Sequence, residues 1–138
     1  MPIVTKSIQL PAEKSDGLRI CIMRRPGEYM DWDLWMPKLS PSSELLDSYK
    51  KNGLPWEKFK KKFAKEVLQQ QTRLLAYLVM LARRTTVTLL CVEPEEEYCH
   101  RSLVKNVCEA VLNEIPNVNV TSAALIQREL NPCRRKII

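Results

Sequence analysis

The sequence predicts an α/β fold: a small, largely parallel sheet with helices on both faces, built as one domain over residues 1–138. Three observations lead there. TTVTLLCVE, residues 85–93, is a β-branched and nearly continuous apolar run, as in a strand covered on both faces. Segments with helical apolar spacing lie on either side of it, and shorter strand-like runs stand near the N-terminus. Strand, helices, strand, helix, strand is the order made by crossovers around a parallel sheet. With 138 residues, 45% of them hydrophobic and 28% charged, the chain can bury one sizeable core.

Each element has its own signal. Residues 3–9 alternate loosely between apolar and polar, and LRICIMRR after the Asp16-Gly17 turn is a clearer short strand, expected over 18–24. Pro26 and Gly27 stop it, and the aromatic-rich segment GEYMDWDLWMPKLSP has no period, so a loop with buried anchors is expected there. Ser40 followed by Pro41 suits a helix start, because serine accepts a bond from the free amides and proline fits the first helical position. Gly53 suits the end of that helix. Pro55 restarts a second, longer one, in which Trp56, Phe59, Phe63, Val67, Leu74, Leu75 and Leu78 share a face. After the 85–93 strand, Leu103, Val104, Val107, Cys108, Val111 and Leu112 mark a helix over 99–114, ended by Pro116. A short strand over 118–121, a helix over 123–130 and a basic tail complete the chain beyond a core of about 18–112.

Composition excludes several classes. The longest apolar run, residues 74–82, is about half the roughly 18–20 residues a membrane span needs. MPIVTKSIQL lacks the basic flank, apolar core and small-residue cleavage site of a secretory signal, so a cytoplasmic protein is expected. The five cysteines, at 21, 91, 99, 108 and 133, show no C-x-x-C pair, and the single histidine cannot supply the two-histidine half of a zinc finger. Neither a disulfide framework nor a bound metal or cofactor is expected. The net charge of +6 favours polyanions where it is concentrated. Residues 50–65 hold seven lysines and one acid, and Arg134, Arg135 and Lys136 form a second cluster. Lysines on the wet side of an amphipathic helix explain the first cluster without a ligand.

Candidate chemistry gathers at the carboxyl ends of the strands, where open α/β sheets bind ligands. Arg24 and Arg25 follow one strand; Glu93 through Arg101 follow another. A helix starting near Cys99 offers free amides and a positive dipole end, which, with His100, Arg101, Arg24 and Arg25, suits a phosphate or carboxylate. The same placement favours a thiolate at Cys99. Glu93, Glu95, Glu96 and Glu97 repel an anion unless paired, and the plain alternative is that they load a helix N-terminus capped by His100. Trp32 and Trp35 are more readily loop anchors than stacking partners, because large aromatics bury area.

The succession RICIMRRPG, DWDLWMPKLSPSSELLDSYK, PWEKFKKKFAKEV, VTLLCVE and CHRSL resembles the YeaO-like family of domains of unknown function, DUF488, over residues 18–112. The resemblance implies a small cytosolic α/β protein of prokaryotes and brings no particular reaction, cofactor or substrate with it. Arg24, Arg25, Asp31, Trp32, Ser40, Pro41, Ser42, Glu93, Cys99, His100 and Arg101 fall in the family's recurrent segments. The family pattern also carries an arginine-glycine pair after the first arginines, and RRPGEYMDW lacks it.

The leading expectation is a site for an anionic small molecule, with Arg24, Arg25, Trp32, Glu93 and Arg101 contacting ligand and His100 and Cys99 as proton carrier and nucleophile. The first alternative is nucleic-acid binding through Lys58, Lys61 and Lys62 with the basic tail. The second is a redox or metal role for Cys91, Cys99 and His100, which requires those groups to converge in space.

Overall fold

The computed structural model describes residues 3–114 and 136–138. The strand expected over 118–121, the helix over 123–130 and most of the basic tail lie outside those residues.

Four parallel strands form the sheet: β1 (Ile3–Ser7), β2 (Leu18–Cys21), β3 (Leu34–Trp35) and β4 (Val87–Cys91). A two-residue strand, β5 (Lys136–Ile137), pairs with the outer side of β3. The order is β1-β4-β2-β3-β5 and every pairing is parallel, which is the α/β class that the apolar run at 85–93 implies. That run supplies β4, flanked by β1 and β2 and buried at all five positions.

Helices α1 (Ser43–Lys50), α2 (Trp56–Phe63), α3 (Thr72–Ala82) and α4 (His100–Glu114) pack against the sheet. Alternate strand residues, among them Ile20, Leu34, Val87 and Leu89, join Leu45, Phe59, Phe63, Leu78 and Val104 from the four helices in one core cluster. Each large apolar side chain buried this way contributes about 1.5–3 kcal/mol. Residues of opposite alternation, Cys21 and Leu90, form a smaller cluster with Ile8 and Trp32.

Gly17 shows how tightly β2 enters the sheet. Its φ is +62°, and a Cβ there would come within 2.2 Å of the Thr86 carbonyl oxygen, the atom to which the Leu18 amide donates at 2.8 Å. Only glycine satisfies both conditions.

Three local expectations are corrected. The aromatic loop contains β3, recruited by backbone bonds from Asp33 to Arg19 and from Met36 to Cys21, each 2.8 Å, rather than by any strand pattern of its own. The long helix after Pro55 is two helices: α2 widens into a π-turn over Ala64–Leu68, with the Gln69 amide reaching back five residues to Ala64, before α3 begins. Ser42, not Ser40, caps α1 by accepting from the Leu45 amide at 3.1 Å. The Ser40 hydroxyl is already committed to the Pro37 carbonyl at 2.6 Å, so Pro41 sits before the cap instead of inside the helix. Among the described residues no helix is long and apolar enough to cross a membrane.

Candidate functional site

Because β2 and β4 are parallel neighbours, in register from Leu18 opposite Val87 to Cys21 opposite Leu90, the segments that follow them leave the same edge of the sheet. Met23, Arg24 and Arg25 after β2 meet Val92 and Glu93 after β4 around a cavity of about 260 Å³. Tyr49 and Lys50 of α1 and Phe59 of α2 close one side, and Tyr98, more than half exposed, stands at the mouth. An aromatic wall results: the Tyr49 and Phe59 rings are 5.0 Å apart, and Tyr98 meets Trp56 edge-on at 5.7 Å. Lys50 and Glu93 form an ion pair at the rim.

Cys91, the last residue of β4, and Cys99 and His100, at the start of α4, also line the cavity; all three are buried. The His100 Nε2 lies 2.7 Å from the Ile22 carbonyl oxygen. A carbonyl only accepts, so Nε2 carries the proton and the bond ties the start of α4 to the end of β2. Nδ1 is left facing the Cys99 Sγ at 3.7 Å. The imidazole also packs edge-on against Phe63, with centroids 5.8 Å apart, which fixes the ring plane. Within this frame the two sulfurs and the imidazole nitrogen all lie within 4.8 Å of one another.

The two thiols are not equivalent. The neighbouring Cys99 thiol, more than the opposing burial, holds the Cys91 thiol well below the ordinary cysteine range, helped by the Glu93 amide and the Arg101 charge. The same neighbour and burial push the Cys99 thiol up. Cys91 is therefore the sulfur disposed to ionise, whereas the helix-start reasoning assigned that role to Cys99. Elsewhere burial alone dominates: it raises Cys21 to about 11 and Cys108 to about 12.

Arg101 stands behind this group. Only 1% exposed, it donates from Nη1 to the Glu93 carbonyl at 2.7 Å and to the Cys91 carbonyl at 3.3 Å. Its Nε, also buried, has no hydrogen-bond partner, and among the described residues no carboxylate lies within ion-pair distance of it.

The structure thus brings Arg24, Arg25, Glu93, Cys99 and His100 to one hollow and places two other expected contact residues outside its lining. Arg101 does not line the cavity; its guanidinium braces the end of β4 and the chain after it through the Cys91 and Glu93 carbonyls. Trp32 is buried in the smaller cluster, donating from Nε1 to the Tyr29 carbonyl at 2.9 Å, because the loop needs its apolar area as an anchor. Lys58, Lys61 and Lys62 are exposed on α2 and do not line the cavity. Sequence reasoning missed the walls, Tyr49, Lys50 and Phe59, since their approach depends on how α1 and α2 pack. Cys91 was named only under the redox or metal alternative, whose requirement that it converge with Cys99 and His100 the fold meets.

A family model described as the active DUF488-N3 subclade matches residues 3–111. No curated protein and no solved structure matches the chain.

Proposed function

The chain belongs to the DUF488 family, and from that premise, which carries no substrate with it, we propose that the protein binds a small anionic molecule in the cleft beyond β2 and β4. One observation carries the reading: two arginines from one strand end and a thiol–imidazole group from the other line the same cavity. Arg24 and Arg25, both exposed at the mouth, receive the phosphate or carboxylate, with guanidinium forks that suit planar or tetrahedral oxyanions. Glu93 does not oppose this, because Lys50 neutralises it. The walls are apolar and aromatic, so the preferred ligand carries its anionic group on an apolar or ring-bearing body.

The buried end of the ligand rests against Cys91, Cys99 and His100. Any reaction takes place there. Partial enclosure strengthens each charge interaction relative to open water, which raises the value of the arginines and of the guanidinium beneath the floor.

Calorimetric titration with inorganic phosphate, nucleotides and sugar phosphates tests the reading. Binding should weaken as salt is added and be lost in Arg24→Glu/Arg25→Glu. Binding that is unchanged in that double variant, or in His100→Ala, overturns the assignment to this cleft; so does failure of the whole panel to bind at low salt.

A further inference from the structure

From Cys91, Cys99 and His100 we infer a binding site for a single zinc ion at the floor of the cleft. The inference deepens the anion reading and rests on it for the fourth ligand; the three protein donors stand without it.

Zinc binds sulfur at about 2.3 Å and imidazole nitrogen at about 2.0 Å in tetrahedral sites, which sets the donors roughly 3.5–3.8 Å apart. The Cys99 Sγ to His100 Nδ1 distance is 3.7 Å, and no pair among the three donor atoms exceeds 4.8 Å. Closing the set takes a shift of about an ångström at most, within reach of thiol rotamers.

The orientation of the histidine supports this. A metal-bound imidazole needs one nitrogen free for the ion and its other N–H held by an acceptor, commonly a backbone carbonyl. His100 has that arrangement: Nε2–H is committed to the Ile22 carbonyl at 2.7 Å, and Nδ1 faces the Cys99 sulfur. The ring is not free to turn away, since Phe63 packs against it.

Two thiolates and one imidazole fill three positions of a tetrahedron. Three protein ligands with an open fourth position form the arrangement of catalytic rather than structural zinc. All three donors line the cavity, so the open position faces the cleft. Charge then selects the fourth ligand. Zinc with two thiolates is neutral, while Arg101, buried and without a carboxylate partner among the described residues, leaves a positive charge below. An anionic oxygen at the open position, hydroxide or the ligand's phosphate or carboxylate, balances it. Ligation displaces the thiol protons to solvent and changes no oxidation state.

The test uses the full chain stripped of metal under reducing conditions and titrated with cobalt(II), then with zinc. Expected are a thiolate-to-cobalt charge-transfer band in the near ultraviolet and intense tetrahedral bands in the visible, saturating at one ion per chain and bleached by zinc. Cys91→Ser, Cys99→Ser and His100→Gln should each lose or strongly weaken them, whereas Cys108→Ala should not. No charge-transfer band with the wild-type chain, a measurement that needs no variant to fold, overturns the site; so does a band that survives both serine substitutions. Adding inorganic phosphate to the cobalt form separates the two proposals. A spectral shift places the anion on the metal and supports both. Cobalt bands unchanged by phosphate, or by any anion that calorimetry shows to bind, leave the metal site standing and remove the anionic fourth ligand.

Discussion

Two buried arginines beside the sheet stand under opposite electrostatic conditions. Arg19, on β2, is 5% exposed and meets the Asp16 carboxylate at 2.5 Å, and Lys6 approaches the same carboxylate at 3.1 Å. Its Nε donates to the Asp31 carbonyl at 2.8 Å. Arg101, on α4, is more deeply buried and is held by carbonyls and no carboxylate among the described residues. The first group is internally compensated and does structural work: it fastens the turn before β2 to β1 and β4, where the Thr88 hydroxyl donates to the Asp16 carbonyl at 2.6 Å. The second leaves positive charge directly behind two thiols and an open cleft. Uncompensated buried charge is costly, so where it persists a negative group is expected beside it. Under the proposed function that group is a thiolate, an anionic ligand, or both.

Substitutions at the two places should separate these roles. Asp16→Asn strands the Arg19 charge and should cost about 3–5 kcal/mol of stability, read by urea denaturation, with anion binding intact in the folded fraction. Arg101→Met removes the charge itself and takes its donor from the Glu93 carbonyl, while the Cys91 carbonyl keeps the Ile8 amide. It should cost less, about 1–3 kcal/mol, yet weaken anion binding in the cleft. Comparable stability losses with untouched binding in both would erase the contrast.

Acid titration sharpens it. Burial tends to raise the Asp16 carboxyl, but the Glu13 amide, Lys6 and Arg19 together hold it below its ordinary value. A folded-state value under the unfolded one, about 3.9, means that its contribution is complete above that pH and is lost as pH falls through the folded value. Denaturation followed from pH 6 downward, about two units above that reference, should show this acid limb in the wild type and in Arg101→Met, and a flatter limb in Asp16→Asn.

The smallest effect on stability belongs to the cleft mouth. Arg24→Glu/Arg25→Glu should change unfolding free energy by no more than about 0.5 kcal/mol per site while abolishing anion binding. Charge reversal at Lys58, Lys61 and Lys62 should leave that binding unchanged. Nucleic-acid retention lost in the lysine variant alone would instead favour the α2 face as the functional surface.

How much of this was legible follows from where the information resides. β4 and α4 announce themselves through local apolar pattern, and the parallel arrangement follows from their order. β3 does not, because two residues, Leu34 and Trp35, become a strand only through hydrogen bonds with β2. The break between α2 and α3 passes through Gln69, Gln70 and Gln71, with neither glycine nor proline to mark it. At the site, Arg24, Arg25, Cys99 and His100 could be placed at one edge by topology. The burial of Arg101 could not, since successive residues on a helix face different directions and only packing decides which of them meets the core. The convergence of Cys91 with Cys99 and His100 could be named as the requirement of a redox or metal role, but spacing rules alone could not establish it. Seven residues separate the cysteines, and the loop between them returns to its origin only in three dimensions.

Thiol labelling gives the most direct test of whether ligand, arginines and sulfurs share one hollow. Metal-free protein would be alkylated with and without the tightest-binding anion of the panel, and each cysteine quantified by mass spectrometry. The anion should slow labelling of Cys91 and Cys99, leave Cys108 unaffected, and lose this protection in Arg24→Glu/Arg25→Glu. An anion that binds tightly while both thiols label at their free rates would contradict the shared hollow.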